Sequence, residues 1–287
     1  MKIRFTKMHG LGNDFVMIDA ISQQVSITPD RARKIADRNF GVGCDQILIV
    51  EAPTRSDADF KYRIFNADGS EVENCGNGAR CFAIFVRMRK LTGKHVINAE
   101  TANGLLVLNV VDKYNVTVDM GIPELSPSKI PFIADCQASA YPLDIDTSAA
   151  TDAQASAIST LTIGAVSMGN PHAVTQVDDV ANYPVKAIGP LVEAHPQFPN
   201  RVNAGFMSIV NRGEINLRVY ERGSGETLAC GTGACAAVVA GRVQSLLDET
   251  VTVNLPGGSL VITWAGPGNS VMMTGPTATV FHGQVRI

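Results

Sequence analysis

The sequence predicts an α+β (mixed α/β) protein of two pseudo-symmetric halves, each a curved, mostly antiparallel sheet or barrel wrapped around a central buried helix. Two observations carry this prediction. The second half of the chain repeats the first, and each half combines short apolar strands with one helix that is apolar on nearly every side. Such a helix is typical of one that is buried all round.

The repeat is clearest around two cysteines. Residues 65–79 and 220–234 align without gaps, which places Cys75 on Cys230. The other positions at which the two halves match, in chain order, are Gly12-Asn13 with Gly169-Asn170, Gln46 with Asn203, 102–107 with 257–262, and Gly121 with Gly275. Matches that keep the same order indicate two copies of one fold, not a short recurring motif.

The composition restricts the possible partners and location. The chain has 287 residues, 45% of them hydrophobic and 18% charged, which is typical of a globular protein large enough for two domains. A net charge of −3 predicts no nucleic-acid partner. No apolar run approaches the ~20 residues of a membrane span, and the first residues lack a signal peptide. We therefore expect a cytoplasmic protein with no membrane partner, whose six cysteines are free thiols.

We expect the first domain to comprise residues 1–125 with 276–287, and the second to comprise residues 126–275. The proline-rich stretch 121–131 is the clearest linker and is expected to be extended. Residues 277–287 lie beyond the second copy of the repeat. Their alternating pattern predicts a further strand that can return to pair with the first half.

Most remaining segments are short and rich in β-branched or apolar residues, which predicts strands. These segments are 15–18, 46–50, 105–108, 116–118, 204–210, 215–220 and 260–263. A helix is expected over 28–38, with Thr28 as its N-cap and Pro29 at its first position. The two apolar helices are expected over 79–87 and 234–240, directly after the cysteines. The stretch 149–160, rich in Ala, Ser and Thr, predicts a surface helix whose role stays open.

This placement puts each cysteine at the N-terminus of a buried helix. The free amide groups and the dipole make that end positive, so we expect a lowered thiol pKa. The same amide groups can hold a carboxylate, and glycines beside the cysteine let the backbone approach it. Two such thiols acting on one carbon predict a two-base site. One cysteine, as thiolate, removes the α-proton, and the other, as thiol, protonates the opposite face.

Plainer interpretations of the cysteines exist. A buried cysteine near glycines is often only a small core residue. Structural zinc is disfavoured because neither Cys75 and Cys81 nor Cys230 and Cys235 form a CxxC pair, and the histidines do not cluster with them. We therefore expect no structural zinc. The same Cys-Gly-x-Gly sequence at equivalent repeat positions favours catalysis.

Along its full length the chain resembles the diaminopimelate epimerase family. The resemblance rests on GLGNDF (10–15), GCDQ (43–46), FNADGS (65–70), ENCGNG (73–78) with Arg80, GNPH (169–172), ERGSGET (221–227) and ACGTG (229–233). It implies an isomerase of the racemase/epimerase class. Such an enzyme converts LL-2,6-diaminopimelate to meso-diaminopimelate without pyridoxal phosphate or metal, in lysine and peptidoglycan precursor biosynthesis. It also implies a homodimer.

The resemblance implies a role for each matching residue. Cys75 and Cys230 are the catalytic acid/base thiols. The helix-end groups that bind the carboxylate are Gly76, Asn77, Gly231 and Thr232. The remaining substrate contacts are Asn13, Gln46, Asn66, Asn170, Asn203, Glu221 and Arg222, of which Arg222 suits a distal carboxylate. His172 and Glu221 tune the thiol pKa values. Phe281 stands where many members carry a tyrosine involved in dimer contacts.

The two copies differ at informative positions. Glu221 aligns with Asn66 and His172 aligns with Phe15, so these ionisable groups belong to the second half alone. They can make one thiol unlike the other, as a two-base reaction requires. The plainer interpretations are a polar turn residue for His172 and an ion pair with Arg222 for Glu221. We expect Asp14 and Asp45 to order loops rather than to act chemically.

Two other functions are considered. A proline racemase-like enzyme of the same fold commonly has a Cys-Gly-His pattern, where this chain has Asn77, and has no distal carboxylate for Arg222. A binding protein that had lost catalysis is expected to lack one thiol, whereas both are present. The sequence does not decide which cysteine is the resting thiolate.

Overall fold

A computed structural model of the chain describes residues 2–72, 76–102, 104–148 and 152–287. The chain forms two compact units. The first comprises Met1–Asp119 with Thr274–Ile287, and the second comprises Met120–Met273. Within the described ranges, no helix is long and apolar enough to cross a membrane.

Strands dominate the first unit. They are β1 (Lys2–Gly10), β2 (Asn13–Asp19), β3 (Gln46–Glu51), β4 (Phe60–Asn66), β5 (Glu71–Val72), β6 (Val96–Thr101), β7 (Gly104–Val110), β8 (Asn115–Asp119) and, from the end of the chain, β18 (Ala278–Arg286). The helices are α1 (Pro29–Ala36) and α2 (Gly76–Met88). Strands β1 and β2, β3 and β4, β6 and β7, and β7 and β8 pair antiparallel, whereas β2 with β3 and β4 with β6 pair parallel. Helix α2 contacts β1, β2, β3, β7 and β8, which buries most of its surface.

The second unit repeats this plan. Its strands are β9 (Tyr141–Asp144), β10 (Thr160–Ser167), β11 (Pro171–Gln176), β12 (Asn203–Asn211), β13 (Glu214–Glu221), β14 (Gly225–Thr227), β15 (Thr250–Leu255), β16 (Gly258–Trp264) and β17 (Val271–Pro276), the last of which contains the unit boundary. Its helices are α3 (Ala153–Ser156), α4 (Val185–Glu193) and α5 (Gly231–Val243). Helix α5 contacts β10, β11, β12, β13 and β16.

The two units share their strand pairing. In the first unit β2 and β3 are parallel with Phe15 opposite Gln46, and in the second β11 and β12 are parallel with His172 opposite Asn203. The antiparallel pair β3 and β4 corresponds to β12 and β13, and both buried helices have 13 residues. The predicted mixed α/β fold, with a buried helix in each strand-rich half, is confirmed.

The helix boundaries have local causes. Thr28 caps α1 as predicted, because its hydroxyl accepts a hydrogen bond from the Arg31 amide at 3.4 Å. The helix ends at Ala36, two residues before the predicted end. There the chain turns back, and the Val42 and Cys44 amides donate to the Ile35 and Ala36 carbonyls. These bonds satisfy carbonyls that the helix end leaves without partners.

Three other segments were predicted. The final strand is confirmed as β18 (Ala278–Arg286), which pairs antiparallel with β1. The stretch 121–131 is not extended throughout, because Pro127–Lys129 forms a 3-10 turn. Within the described residues 152–160, the four-residue α3 is the only helix, and Asp152 caps it. Residues 149–151 lie outside the described residues.

The close approach of β10 to α5 generates a stability prediction. A Cβ atom on Gly164 meets the Ala240 Cβ at 2.7 Å, so G164A forces the strand and the helix apart. We expect G164A to lower the free energy of unfolding by about 1–3 kcal/mol, measured by urea denaturation. Gly93 has no atom within 4 Å of its Cβ position, so G93A is the matched control. Equal effects of the two substitutions would contradict this packing.

Candidate active site

Cys230 caps the buried helix α5 through its side chain. Its Sγ accepts a hydrogen bond from the Gly233 amide at 3.4 Å and lies 3.5 Å from the Thr232 hydroxyl. The cysteine is buried because α5 packs its alanines and valines against the strands around it. The predicted position of this thiol, at the N-terminus of a buried helix, is confirmed.

The first turn of α5 keeps two amide donors for a ligand. The Gly233 amide donates to the Cys230 sulfur and the Ala234 amide donates to the Cys230 carbonyl. The amides of Gly231 and Thr232 have no acceptor among the described residues. They point out of the helix end, where the dipole adds positive potential. This end of α5 can therefore bind a carboxylate next to the Cys230 sulfur.

The expectation that this helix end lowers the thiol pKa is wrong for Cys230. Burial first, and the negative charge of Glu221 second, raise the pKa of Cys230 well above its ordinary value. Hydrogen bonds from Thr232 and Gly233 act in the opposite direction and offset only part of that rise. Cys230 is consequently a thiol near neutral pH.

His172 lies in β11 and is 1% exposed, which excludes the polar turn residue considered above. Its Nε2 atom lies 3.0 Å from Asn170 Oδ1, and its buried Nδ1 atom finds no partner among the described residues. Burial, reinforced by the positive charge of Arg222, lowers the pKa of His172 to about 3. The imidazole is therefore neutral at physiological pH.

Glu221 ends β13 and interacts with the thiol rather than with its neighbour. Its carboxylate accepts a hydrogen bond from the Thr227 hydroxyl, and its charge acts on Cys230. Within the part of the chain that the structure describes, Glu221 and Arg222 form no ion pair, so the plainer interpretation of Glu221 is wrong. The arrangement keeps a negative charge beside Cys230.

Arg222 lies in an exposed turn that buried polar groups hold in place. Its amide donates to Asn203 Oδ1 at 2.9 Å, and its guanidinium donates to the Asn200 carbonyl at 2.9 Å. The Asn203 amide group donates to the Pro171 carbonyl at 3.1 Å, which connects this turn to β11. The buried Glu193 accepts from the Gly223 amide and also pairs with Arg201. Arg222 is exposed, so its guanidinium can also bind a carboxylate.

In the first unit, the structure brings Gln46 and Asn66 together. The Gln46 amide group donates to Asn66 Oδ1 at 2.9 Å across the β3–β4 pair. Gln46 Oε1 is buried, and the described residues supply it with no donor. Asn66 in turn donates to the Ser70 hydroxyl at 3.2 Å. These two side chains form one polar cluster where β3 begins and β4 ends.

Asn13 is held by an ionic cluster at the same end of β3. Its amide group donates to Asp45 Oδ2 at 2.9 Å, and Arg38 bridges Asp45 and Asp14 at 2.7 and 2.9 Å. Burial pushes the pKa of Asp14 up, but hydrogen bonds from Arg38 and Lys7 outweigh it and hold that pKa well below its usual range. Asp14 and Asp45 therefore order the chain where β2 and β3 begin, at Asn13 and Gln46, in line with the ordering role expected for them.

The cysteine of the first half, Cys75, lies outside the described residues, as do Glu73 and Asn74. Helix α2 begins at the next residue, Gly76. Asn77 is buried in its first turn, and Asn77 Oδ1 accepts a hydrogen bond from Arg80 at 2.9 Å. The Arg80 guanidinium is 0% exposed and also contacts the Pro276 carbonyl at 3.5 Å.

Sequence reasoning assigned no role to three groups that shape these sites. Arg80 places a buried positive charge in the first turns of α2, where the repeat has Cys235 in α5. The sequence feature that could have indicated its importance is the presence of an arginine in an otherwise apolar helix. The other two groups are Glu193 and the pair of Lys7 and Arg38. Their partners are distant in sequence, so no local sequence pattern predicts these contacts.

Phe281, predicted as a dimer contact, lies on β18 and is 46% exposed. Its ring packs edge-on against Phe5 at 5.8 Å. Among the described residues, no group of three or more His, Cys, Asp or Glu side chains is placed to hold a metal ion.

Comparison with known proteins identifies the relatives of this chain. Residues 5–126 and 164–280 match the family described as diaminopimelate epimerase. The chain is 65% identical over 287 residues to the diaminopimelate epimerase of Teredinibacter turnerae, and 61% identical over 289 residues to that of Thioalkalivibrio sulfidiphilus. Both alignments cover 100% of each chain.

A solved structure shares the fold at low sequence identity. The hydroxyproline epimerase of Agrobacterium vitis, with bound trans-4-hydroxy-L-proline, superposes with a TM-score of 0.65 and 15% identity. The superposition covers 99% of this chain and 92% of that one.

The buried neutral histidine makes stability depend on pH. The folded protein keeps His172 neutral down to about pH 3, whereas the unfolded chain takes up a proton near 6.5. Because the unfolded state binds more protons between these values, the free energy of unfolding falls as the pH falls through this window, by about 1.4 kcal/mol per pH unit. We expect H172Q to lose about 2 kcal/mol less than the wild type between pH 7 and pH 5 in urea denaturation.

The exposed His95 provides the control, H95Q, which is expected to follow the wild type. If H172Q and the wild type lost the same stability over this range, His172 would not be the buried neutral group described above.

Proposed function

Because the chain belongs to the diaminopimelate epimerase family, we propose that Cys75 and Cys230 together invert the α-carbon of diaminopimelate, one thiol acting on each face. The chain is an isomerase that epimerises diaminopimelate. The observation that carries this conclusion is the full-length identity to diaminopimelate epimerases. The proposal adds the direction LL to meso, the roles of individual residues and the order of proton transfers.

The first role concerns the carboxylate beside the reacting carbon. The free Gly231 and Thr232 amides of α5 bind it, and Gly76 and Asn77 do so from α2. As the α-proton leaves, negative charge spreads onto this carboxylate. Amide donors that are already aimed at it stabilise that charge without reorganising. They also orient the α-carbon toward the Cys230 sulfur, which caps the same helix turn.

The second role concerns the resting protonation states. Cys230 is buried beside Glu221, so it starts as a thiol and delivers its proton to the substrate. While Cys230 donates its proton, Cys75 acts as the thiolate base that removes the α-proton. After one turnover the protons have exchanged places, and the reverse reaction uses Cys230 as the base. His172 and Glu221 set the properties of Cys230, and no equivalent residues exist at Phe15 and Asn66.

The remaining contacts recognise the rest of the substrate. Arg222 binds the distal carboxylate, since its guanidinium keeps exposed donors. The side chains that complete the binding of the two amino-acid ends are Asn13, Gln46, Asn66, Asn170 and Asn203. Asn203 acts mainly by holding the Arg222 turn, because both ends of its amide are hydrogen-bonded to backbone groups.

The alternative, a proline racemase-like activity, has less support. The hydroxyproline epimerase shares 15% identity, which establishes the fold alone, whereas diaminopimelate epimerases share 65%. A substrate with one carboxylate also leaves Arg222 without a partner.

We further propose a cytoplasmic homodimer that contributes to lysine and peptidoglycan precursor biosynthesis. The half-exposed Phe281 on β18 supplies an aromatic contact to the second copy. The domain division at residues 125 and 275 forms part of this proposal, with one catalytic cysteine in each domain.

The two-base proposal predicts the behaviour of single cysteine variants. We expect C75A and C230A each to lower net epimerisation by at least about 1,000-fold, because each removes one of two essential proton carriers. The measurement is the conversion of LL- to meso-diaminopimelate, together with incorporation of solvent deuterium at the α-carbon in D2O. The exposed Cys136 supplies the control variant, C136A, which should keep wild-type activity. Near-normal turnover by either single variant would contradict the mechanism.

The distal contact predicts a change in substrate affinity. We expect R222Q to raise KM so that kcat/KM falls about 10- to 100-fold, because two charge-assisted hydrogen bonds are lost. The value of kcat should change little, since the distal carboxylate is bound equally in the ground and transition states. The exposed Arg212, which pairs with Asp248, supplies the control R212Q. A fall in kcat at unchanged KM would assign Arg222 to the chemical step instead.

A further inference from the structure

A line of hydrogen-bonding side chains connects the buried histidine to the catalytic thiol. His172 Nε2 lies 3.0 Å from Asn170 Oδ1, and Asn170 Nδ2 donates to the Thr232 hydroxyl at 3.4 Å. The Thr232 hydroxyl lies 3.5 Å from the Cys230 sulfur. The line thus runs from β11 to the first turn of α5 through one amide and one hydroxyl.

The amide of Asn170 gives this line a direction. An amide side chain has an acceptor oxygen at one end and a donor nitrogen at the other. Because its oxygen faces His172, the neutral imidazole carries its proton on Nε2 and donates it. Because its nitrogen faces Thr232, one lone pair of the hydroxyl accepts that bond. The single hydroxyl proton of Thr232 is then left for the sulfur.

We propose that the Thr232 side chain is a positioning residue that donates a hydrogen bond to the Cys230 sulfur and so stabilises its thiolate. Asn170 favours that donation because its Nδ2 donates to the acceptor side of the hydroxyl, and His172 holds the Asn170 amide in this orientation. This inference rests on the proposed acid/base role of Cys230 and adds a role for the hydroxyl beside that of the Thr232 amide. The Gly233 amide is the second donor to the same sulfur.

The charges around Cys230 explain why such a donor is needed. Glu221, from β13, disfavours the thiolate, as does burial. His172, from β11, is neutral and supplies no positive charge, and Arg222 is turned toward the Asn200 carbonyl. The cation of α5 itself, Arg242, lies in the last turn of the helix. Among the described residues, the donors that offset Glu221 at the Cys230 sulfur are neutral, namely the Thr232 hydroxyl and the Gly233 amide.

The test measures the reactivity of the Cys230 thiol directly and does not require epimerase activity. In full-length C75A protein, alkylation of Cys230 by iodoacetamide is followed against pH by peptide mass spectrometry. The exposed Cys136, quantified in the same digest, is the internal reference. Thr232→Val keeps the backbone amide and the β-branched shape but removes the hydroxyl. Thr232→Ser keeps the hydroxyl and is the matched control.

We expect T232V to shift the alkylation profile of Cys230 upward by about one pH unit, which slows alkylation at neutral pH about tenfold. T232S should follow the C75A parent, and Cys136 should not change in any variant. Asn170→Ala should give a smaller upward shift, because the hydroxyl is then free to donate elsewhere. A purely steric role of Thr232 does not predict this last effect.

An unchanged profile in folded T232V would overturn the proposal. If T232V did not fold, the alkylation profile of Cys230 in N170A would test the proposal instead. An unchanged profile in N170A would likewise overturn the proposal. Failure here leaves the two-base mechanism standing, because that mechanism depends on the turnover of the single cysteine variants.

Discussion

The burial of a helix end is the constraint on which the rest of this molecule depends. Helix α5 is surrounded by strands, yet its first turn has amide groups that no helical carbonyl can satisfy. Cys230 satisfies one of them with its sulfur, and those of Gly231 and Thr232 have no acceptor in the part of the chain that the structure describes. The packing that excludes water from the helix thus also creates a polar, positive site inside an apolar surrounding, next to a thiol.

That surrounding sets the acid/base character of the thiol. In water the helix end would make Cys230 more acidic, but burial and the nearby carboxylate of Glu221 reverse the direction. The first half has different charges at the equivalent places, with the buried guanidinium of Arg80 in α2 and the neutral Asn66 in β4. One fold used twice therefore supports two unlike helix ends. A reaction that needs an acid and a base at the same time requires such a difference.

Supporting contacts differ between the units although the strand pairing does not. In the first unit, an ionic cluster holds the start of β2 at Asn13; its members are Lys7, Arg38, Asp14 and Asp45. In the second, Asn203 and Glu193 hold the Arg222 turn through backbone amides. The two sets of contacts are alike in position, because each lies beside the first residues of a parallel strand pair, β2 and β3 in one unit and β11 and β12 in the other. Sequence alignment of the two halves does not reveal this equivalence, since no residue type is shared.

The sequence by itself determined the mixed α/β class, the repeat, the two apolar helices and the Cys-Gly-x-Gly sequences. These features depend on local patterns and on the comparison of one segment with another, both of which are visible in a linear string. Only the tertiary structure decided that Cys230 is a thiol at rest, that His172 is neutral and that Glu221 acts on the thiol instead of pairing with Arg222. The physical reason is that burial and charge act through space. The groups that desolvate Cys230 and His172 come from strands distant in sequence, and no local pattern records how closely they pack.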